Sequence, residues 1–393
     1  MSDLLSDSLN NQGRPVNIAV IGCGGYAFQL MLRIWTLPRY VRIVAVTSRN
    51  PNSENARICA ARGIRVYPHI NDLLADPPKG LQAILNPTPI EVHSETTIPC
   101  LEAGFPVWLE KPPVPTVAEY DQLLPVIERT GVPVEVCFNS LYGYNLRRLK
   151  ADLVVGVYGK VERISGIGGW IRTQEYFSRN DWAGALKMNG HWIYDGTINN
   201  PFAHVVCNNL YLAAKKELAL AEPAEVEARL WHANAIESED TSSMRIVTRD
   251  GIEVFSHLTL APEATIVPQT EVRTGLATIT LSNFETVEIQ WHDGRSEHYR
   301  SFKENRIEML EELAHRLGSE APSLCPLAMC QPFTQVVEQA FQQVLQQNDG
   351  GIPSVPPSQL TEKTDPHGIS AVAIKGINNA LAEAHRNGRL LEF

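Results

Sequence analysis

Val16-Asn17-Ile18-Ala19-Val20-Ile21-Gly22-Cys23-Gly24-Gly25-Tyr26-Ala27 is the stretch that decides the fold of this chain. A short apolar, β-branched run stops abruptly at glycines and passes at once into helix-forming sequence. That order describes a buried parallel strand, a tight turn and a helix N-terminus. Gly22 makes the turn, Gly24 lets the backbone approach a pyrophosphate, and Ala27 takes the small position where helix packs on strand. Gly25 and Tyr26 open the helix, whose free N–H groups and partial positive charge suit phosphate.

Working outward, helix signals at Tyr26–Leu37, 52–62, Glu91–Ala103 and Val117–Thr130 alternate with strand signals. The strands are Val41–Thr47, Ile64–Val66, Ala83–Leu85, Val107–Leu109 and Val134–Phe138. Strands alternating with helices at this spacing form a parallel sheet covered on both faces, the doubly wound Rossmann arrangement. Residues 15–139 are thus expected to form an NAD(P)-binding domain, after a flexible polar tail at 1–14. Thr47-Ser48-Arg49-Asn50 follows the second strand, where a carboxylate would favour NAD. With none there, Ser48 and Arg49 suit a 2′-phosphate and favour NADP over NAD.

Two further strand ends face the same crevice of the sheet. Asn86-Pro87-Thr88-Pro89-Ile90-Glu91-Val92-His93 is a rigid loop, and Asn86, Pro87 and His93 are read as cofactor contacts. Glu110-Lys111-Pro112-Pro113 follows Val107-Trp108-Leu109 directly. A lysine at the end of a buried strand is expensive unless paired or needed. Glu110 suits the nicotinamide ribose, and Pro112 fixes the backbone so that Lys111 points into the crevice.

The glycine turn, Asn86-Pro87-Thr88-Pro89…His93 and above all Glu110-Lys111-Pro112 resemble the Gfo/Idh/MocA family of glucose–fructose oxidoreductases and inositol dehydrogenases. The resemblance runs from Val16 to Phe393 and implies NAD(P)-dependent chemistry on a sugar, polyol or derivative, with Lys111 as the catalytic, substrate-orienting lysine. It also implies a cofactor contact at Asn139 and a homo-oligomer, dimer or tetramer. Where the family often carries an arginine just past that asparagine, this chain has Ser140-Leu141.

Residues 140–393 are expected to form an α+β substrate-binding and oligomerisation domain on a large, mostly antiparallel open sheet. Strand alternation appears at Val161–Gly166, 225–230, 243–247, 253–260, 271–281 and 285–291, with helices at 142–153, 304–317, 334–347 and 369–386. Asp195-Gly196-Thr197-Ile198-Asn199-Asn200-Pro201-Phe202-Ala203-His204 occupies the place of the family's Asp-x-Gly-x-His motif. Asn199, which cannot act as a base, stands where the family has its catalytic histidine, and Thr197 replaces the glycine. Asn200-Pro201 signals a helix start, which sets His204 one turn in, as an alternative proton acceptor to Asp195 or Lys111. The run resembles a subgroup that shares this Asp…Asn-Asn…Ala-His pattern. Tyr176, Arg179 and Trp182 gather aromatic and polar groups in one loop, and with Asn200 they are the expected substrate contacts. Arg179 alternatively anchors a carboxylate.

Composition narrows the classes. A chain of 393 residues with 44% hydrophobic and 20% charged residues exceeds one core and reads as two globular domains. A formal net charge of −10 argues against nucleic-acid or membrane partners. The seven cysteines show no metal-binding spacing and point to a reducing, cytoplasmic setting. Transient oxidation with net glycoside cleavage, or dinucleotide binding without turnover, are the competing functions.

Overall fold

The computed structural model describes residues 14–364 and 367–392; the tail expected at 1–14 lies almost wholly outside them. Two compact units are present, the first comprising residues up to Val114, Ala118–Gly143 and Lys303–Ala328, the second the remainder.

The first unit holds β1 (Val16–Val20), α1 (Gly25–Ile34), β2 (Val41–Thr47), α2 (Glu54–Ala61), β3 (Arg65–Tyr67), α3 (Ile70–Ala75) and β4 (Ala83–Asn86). It continues with α4 (His93–Glu102), β5 (Val107–Leu109), α5 (Val117–Thr130), β6 (Val134–Val136) and the short α6 (Asn139–Tyr142). Its sheet has six strands, all parallel, in the order β3-β2-β1-β4-β5-β6. The order reverses between β1 and β4, which places the ends of β1, β4 and β5 around the switch point where such sheets bind ligands. β1 is buried from Ile18 to Val20, as an interior parallel strand must be. α3 is not among the helices expected from the sequence; its start is held by Asp72 accepting from the His69 N–H.

The second unit contains α7 (Tyr144–Val154), β7 (Val161–Gly169), α8 (Gln174–Phe177), β8 (Lys187–Met188), β9 (His191–Trp192) and α9 (Ala203–Ala213). There follow β10 (Pro223–Trp231), β11 (Thr241–Thr248), β12 (Glu253–Thr259), β13 (Ile266–Thr274), β14 (Ala277–Ser282), β15 (Thr286–Trp291) and β16 (Ser296–Arg300). The chain then leaves this unit for α10 (Asn305–Arg316) and returns with α11 (Gln331–Gln347), β17 (Leu360–Thr364), β18 (Ser370–Ile374) and α12 (Ile377–Asn387). The large sheet has eight strands in the order β10-β11-β12-β7-β13-β14-β15-β16, antiparallel except for the β7–β12 pair. On one face, Gly166 and Gly168 of β7 let α9 lie directly on the strand. A Cβ on Gly166 would come within 2.4 Å of Val205, and one on Gly168 within 2.8 Å of Phe202. On the other face Ile167 packs with Ile377 and Leu381 of α12.

α10 belongs with the first unit. The chain after it is tied there by the Val136 N–H donating to the Cys325 carbonyl at 2.8 Å and the Tyr120 hydroxyl donating to the Leu327 carbonyl. The expected domain 140–393 is thus divided, with 140–143 and 303–328 in the first unit.

Other differences are local. The strand expected over 271–281 is a hairpin turning at Gly275-Leu276; the buried positions change phase there, from Val272 and Thr274 to Ala277, Ile279 and Leu281. The helix expected from Ile369 begins only at Ile377, because Gly376 at φ +74° breaks the chain and Ser370–Ile374 pairs with β17. The helix expected at Asn200-Pro201 begins at Ala203 after the cap residue Phe202.

Candidate active site

The glycine turn is tied to the neighbouring strand ends. The Gly22 N–H donates to Thr47 Oγ1 at 2.8 Å, and the Ile21 N–H to the Leu85 carbonyl at 3.0 Å. Gly22, at φ +89°, occupies left-handed backbone that favours glycine. Gly24 is different: it is extended, caps α1, and a Cβ there would meet nothing within 4 Å. Among the described residues nothing fills that space, which fits a phosphate group lying against the backbone. Gly25 and Tyr26 begin α1, and Ala27 is buried with its Cβ 4.0 Å from where a Gly22 Cβ would stand. At the end of β2, the Ser48 hydroxyl donates to the Asn50 carbonyl at 2.8 Å, and Arg49 is exposed.

Asn86 and His93 brace loops. Asn86 is buried; its amide donates to Thr96 and Thr97, and its carbonyl accepts from the Thr88 hydroxyl at 2.8 Å. Pro87 is half-buried beside it. His93 is 1% exposed with Nδ1 2.9 Å from the Pro113 carbonyl and Nε2 2.8 Å from the Thr88 carbonyl. Both carbonyls favour a protonated ring, yet burial outweighs them and holds its pKa below the ordinary value. Both ring nitrogens of His93 thus face backbone carbonyls, at Thr88 and Pro113.

Glu110 is 4% exposed at the end of β5, and burial raises its pKa against the opposing pull of Lys111 and Arg306. The Lys111 N–H donates to its Oε2 at 3.3 Å, and the Tyr26 hydroxyl bonds to it. Arg306, from α10, also stands over the Tyr26 ring at 5.8 Å. Lys111 is half-buried and the Lys111–Pro112 bond is cis. Asn139 is half-buried at the start of α6.

In the second unit, Asp195 is held by its neighbours. Its Oδ2 accepts from the Gly184 N–H at 2.7 Å, its Oδ1 from the Asn200 amide at 2.7 Å, and Arg179 lies 3.6 Å away. Asn199 is 2% exposed and donates to the Ile193 carbonyl at 2.9 Å. Behind them Glu239 is fully buried; it accepts from the Thr197 hydroxyl at 2.8 Å and the Ile198 N–H at 3.0 Å. Burial pushes its pKa up to about 8. Gly196 is required here, since a Cβ would stand 2.4 Å from the Glu239 carboxylate. Asp195 and Asn199, expected among the catalytic groups, therefore spend their polar atoms on the scaffold. His204 is half-buried in the first turn of α9 with its ring 5.8 Å from Phe284. Phe284 adopts φ +60°, an unusual backbone for an aromatic residue, in the turn between β14 and β15. Tyr176 and Trp182 stand 3.8 and 4.8 Å from the Arg179 guanidinium, so those three expected substrate residues form one cluster with Asp195 and Asn200.

Residues 16–138 match the family model described as Gfo/Idh/MocA, oxidoreductase family, NAD-binding Rossmann fold. The match covers the dinucleotide-binding domain and does not extend to the rest of the chain. The chain is 25% identical over 183 residues to an uncharacterized oxidoreductase of Schizosaccharomyces pombe, covering 46% of this chain and 48% of that one. To an inositol 2-dehydrogenase of Ralstonia nicotianae it is 29% identical over 147 residues, 37% of this chain and 43% of that one. The matched stretch thus spans about half, or less, of these relatives' length. The fold extends further: the WlbA dehydrogenase of Bordetella pertussis, solved with NADH and UDP-GlcNAcA, superposes with a TM-score of 0.70 at 18% identity, over 87% of this chain and 99% of that one.

Arg306, Glu239, Phe284 and Arg172 carry no motif that singles them out in the sequence. Arg172 carried only a signal of position, since it directly follows the aromatic segment Gly169-Trp170-Ile171. Arg306 carried none, because a single basic residue in a helix says nothing of where that helix docks. No group of histidine, cysteine or carboxylate side chains among the described residues is placed to hold a metal ion. All seven cysteines are buried, and no helix among the described residues is long and apolar enough to cross a membrane.

Proposed function

We propose that the protein is an NAD(P)-dependent oxidoreductase acting on a secondary alcohol of a sugar, polyol or sugar derivative. One observation carries this reading: a single unit holds both the open glycine cradle at Gly24 and the Glu110-Lys111 pair at the end of β5. A bound nicotinamide dinucleotide supplies the hydride acceptor or donor. Lys111 directs an ammonium donor at the substrate oxygen and stabilises negative charge developing there. Glu110, buried beside it, holds the lysine backbone. The hydroxyl proton passes to His204, because Asp195 and Asn199 are engaged elsewhere; Lys111 is the second acceptor. Tyr176 and Trp182 offer faces to sugar C–H groups, while Arg179 and Asn200 offer donors to its oxygens.

Ser48 and Arg49 favour NADP, and the exposed Arg49 leaves its guanidinium accessible to a 2′-phosphate. The activities named for the Ralstonia and Bordetella relatives support a carbohydrate substrate. The buried cysteines, none of them in a disulfide, support a cytoplasmic setting.

Calorimetry with NAD(H) and NADP(H), then turnover on a polyol and aldose panel, tests the reading. Micromolar binding of one dinucleotide and turnover lost in Lys111→Met are expected. Absence of dinucleotide binding refutes it. The burial of Asn199, where the family has its base, favours a second reading in which the chain binds dinucleotide without turnover. Glycoside cleavage would appear as retained cofactor with product release and no net NADH signal.

A further inference from the structure

We propose that Arg172, set between Trp170 and Tyr176, binds a carboxylate carried by the substrate, so that the sugar or polyol accepted is an acid. This rests on the oxidoreductase reading above and narrows its substrate class. The Arg172 guanidinium lies 5.2 Å from the Trp170 ring and 4.6 Å from the Tyr176 ring. Its backbone is fixed by the Arg172 N–H donating to the Leu260 carbonyl at 3.2 Å. Two aromatic faces hold the planar group in one orientation, the condition under which arginine recognises a carboxylate by paired N–H donors.

The guanidinium bonds to the Tyr176 phenol, but its donors are not all used among the described residues. Arg172 Nε is buried and has no hydrogen-bond partner among the described residues, and no carboxylate there forms an ion pair with this side chain. Leaving a buried guanidinium donor without an acceptor is unfavourable, so the slot suits an acceptor from outside the chain. Arg179, on the other side of Tyr176, contrasts with it: that guanidinium donates to the Tyr176 carbonyl at 2.5 Å and pairs with Asp195 at 3.6 Å. Two guanidiniums against one carboxylate leave a single positive charge. Burial raises the pKa of the Tyr176 phenol, which therefore adds no negative charge. One carboxylate balances that set; a phosphate dianion overshoots it, and a neutral hydroxyl leaves it uncompensated. Trp170 in turn packs at a tilt against Phe202, ring centroids 4.4 Å apart, the residue that caps α9 just ahead of His204.

The test compares aldonic and uronic acids with the corresponding neutral polyols and aldoses, and with a sugar phosphate, using the full chain and its dinucleotide. Acids are expected to exceed neutral counterparts in kcat/KM by about 10- to 100-fold, the range of a charge-assisted pair. Arg172→Met should collapse that ratio toward unity through KM, and Arg172→Lys should restore only part of it. A merely structural arginine would lower turnover of acid and neutral substrates together and leave the ratio intact, which overturns the proposal. So does a preference for the phosphate, equal turnover of acid and neutral compounds, or no acid binding by calorimetry with and without dinucleotide. Failure of the dinucleotide itself to bind would overturn the oxidoreductase reading instead, independently of the acid titration.

Discussion

Glu110 in the first unit and Asp195 in the second are both buried acids near an arginine, 4% and 6% exposed. Glu110 has the Tyr26 hydroxyl and one N–H, at 3.3 Å, for support, and burial raises its pKa in spite of Lys111 and Arg306. Asp195 has the Gly184 N–H and the Asn200 amide, each at 2.7 Å, with Arg179 beside them. An acid whose oxygens are filled by short bonds from the backbone and neighbouring loops acts as a brace. An acid held mainly by charge keeps a protonation equilibrium that a nearby ligand can move. Position in a motif does not separate these two cases; the closeness of the donors does, 3.3 Å for the Lys111 N–H at Glu110 against 2.7 Å for both donors at Asp195.

The comparison breaks most easily at Asp195. Asp195→Ala should destabilise the protein by about 2–3 kcal/mol, since it strands a buried N–H and an amide, with the half-exposed Arg179 adding little. Denaturant unfolding measures this, and a change below about 1 kcal/mol would make Asp195 no brace. Glu239 sharpens the same point through pH. Its folded pKa of about 8 lies above the ordinary carboxylate value of 4.5, so the protonated form is favoured on folding. Stability tied to this group is full below pH 4.5 and is lost as pH rises toward 8. Wild type should therefore lose about 2 kcal/mol or more relative to Glu239→Gln between pH 5 and 8, and parallel stability curves would remove the shift. Glu110→Gln should change stability by less than about 1 kcal/mol while altering the pH profile of turnover. Equal destabilisation by Glu110→Gln and Asp195→Ala would erase the distinction drawn here. Gly24→Ala should leave stability within about 0.5 kcal/mol, because its Cβ meets no protein atom, yet weaken dinucleotide binding about tenfold or more. Unchanged affinity would show that the open space at Gly24 is not the cradle.

The first unit was largely legible in sequence, because its signals are local. Val16–Ala27, the end of β2 and Glu110-Lys111 each declare a strand end within a few residues, and the strand order follows from alternation with helices. What escaped was distant in the chain. Arg306 reaches Glu110 only because α10 returns to the first unit, and Asp195 is read correctly only once Gly184 is known to donate to it. Asn199 was visibly an amide where a base was expected, but its burial against Ile193 is a tertiary fact. The phase change at Gly275-Leu276 was readable and marks the hairpin.

The two glycines that let α9 touch β7 have a consequence for the chemistry. Between most helices and sheets lies a layer of side chains that can shear by switching rotamers. At Gly166 and Gly168 that layer is missing, and Val205, Asn209 and Phe202 rest on main chain. The helix carrying His204 has therefore lost its lubricant: it keeps the strand's frame of reference. Any adjustment of the imidazole must then come from its own two torsions or from the Phe284 turn, and not from the helix sliding underneath it.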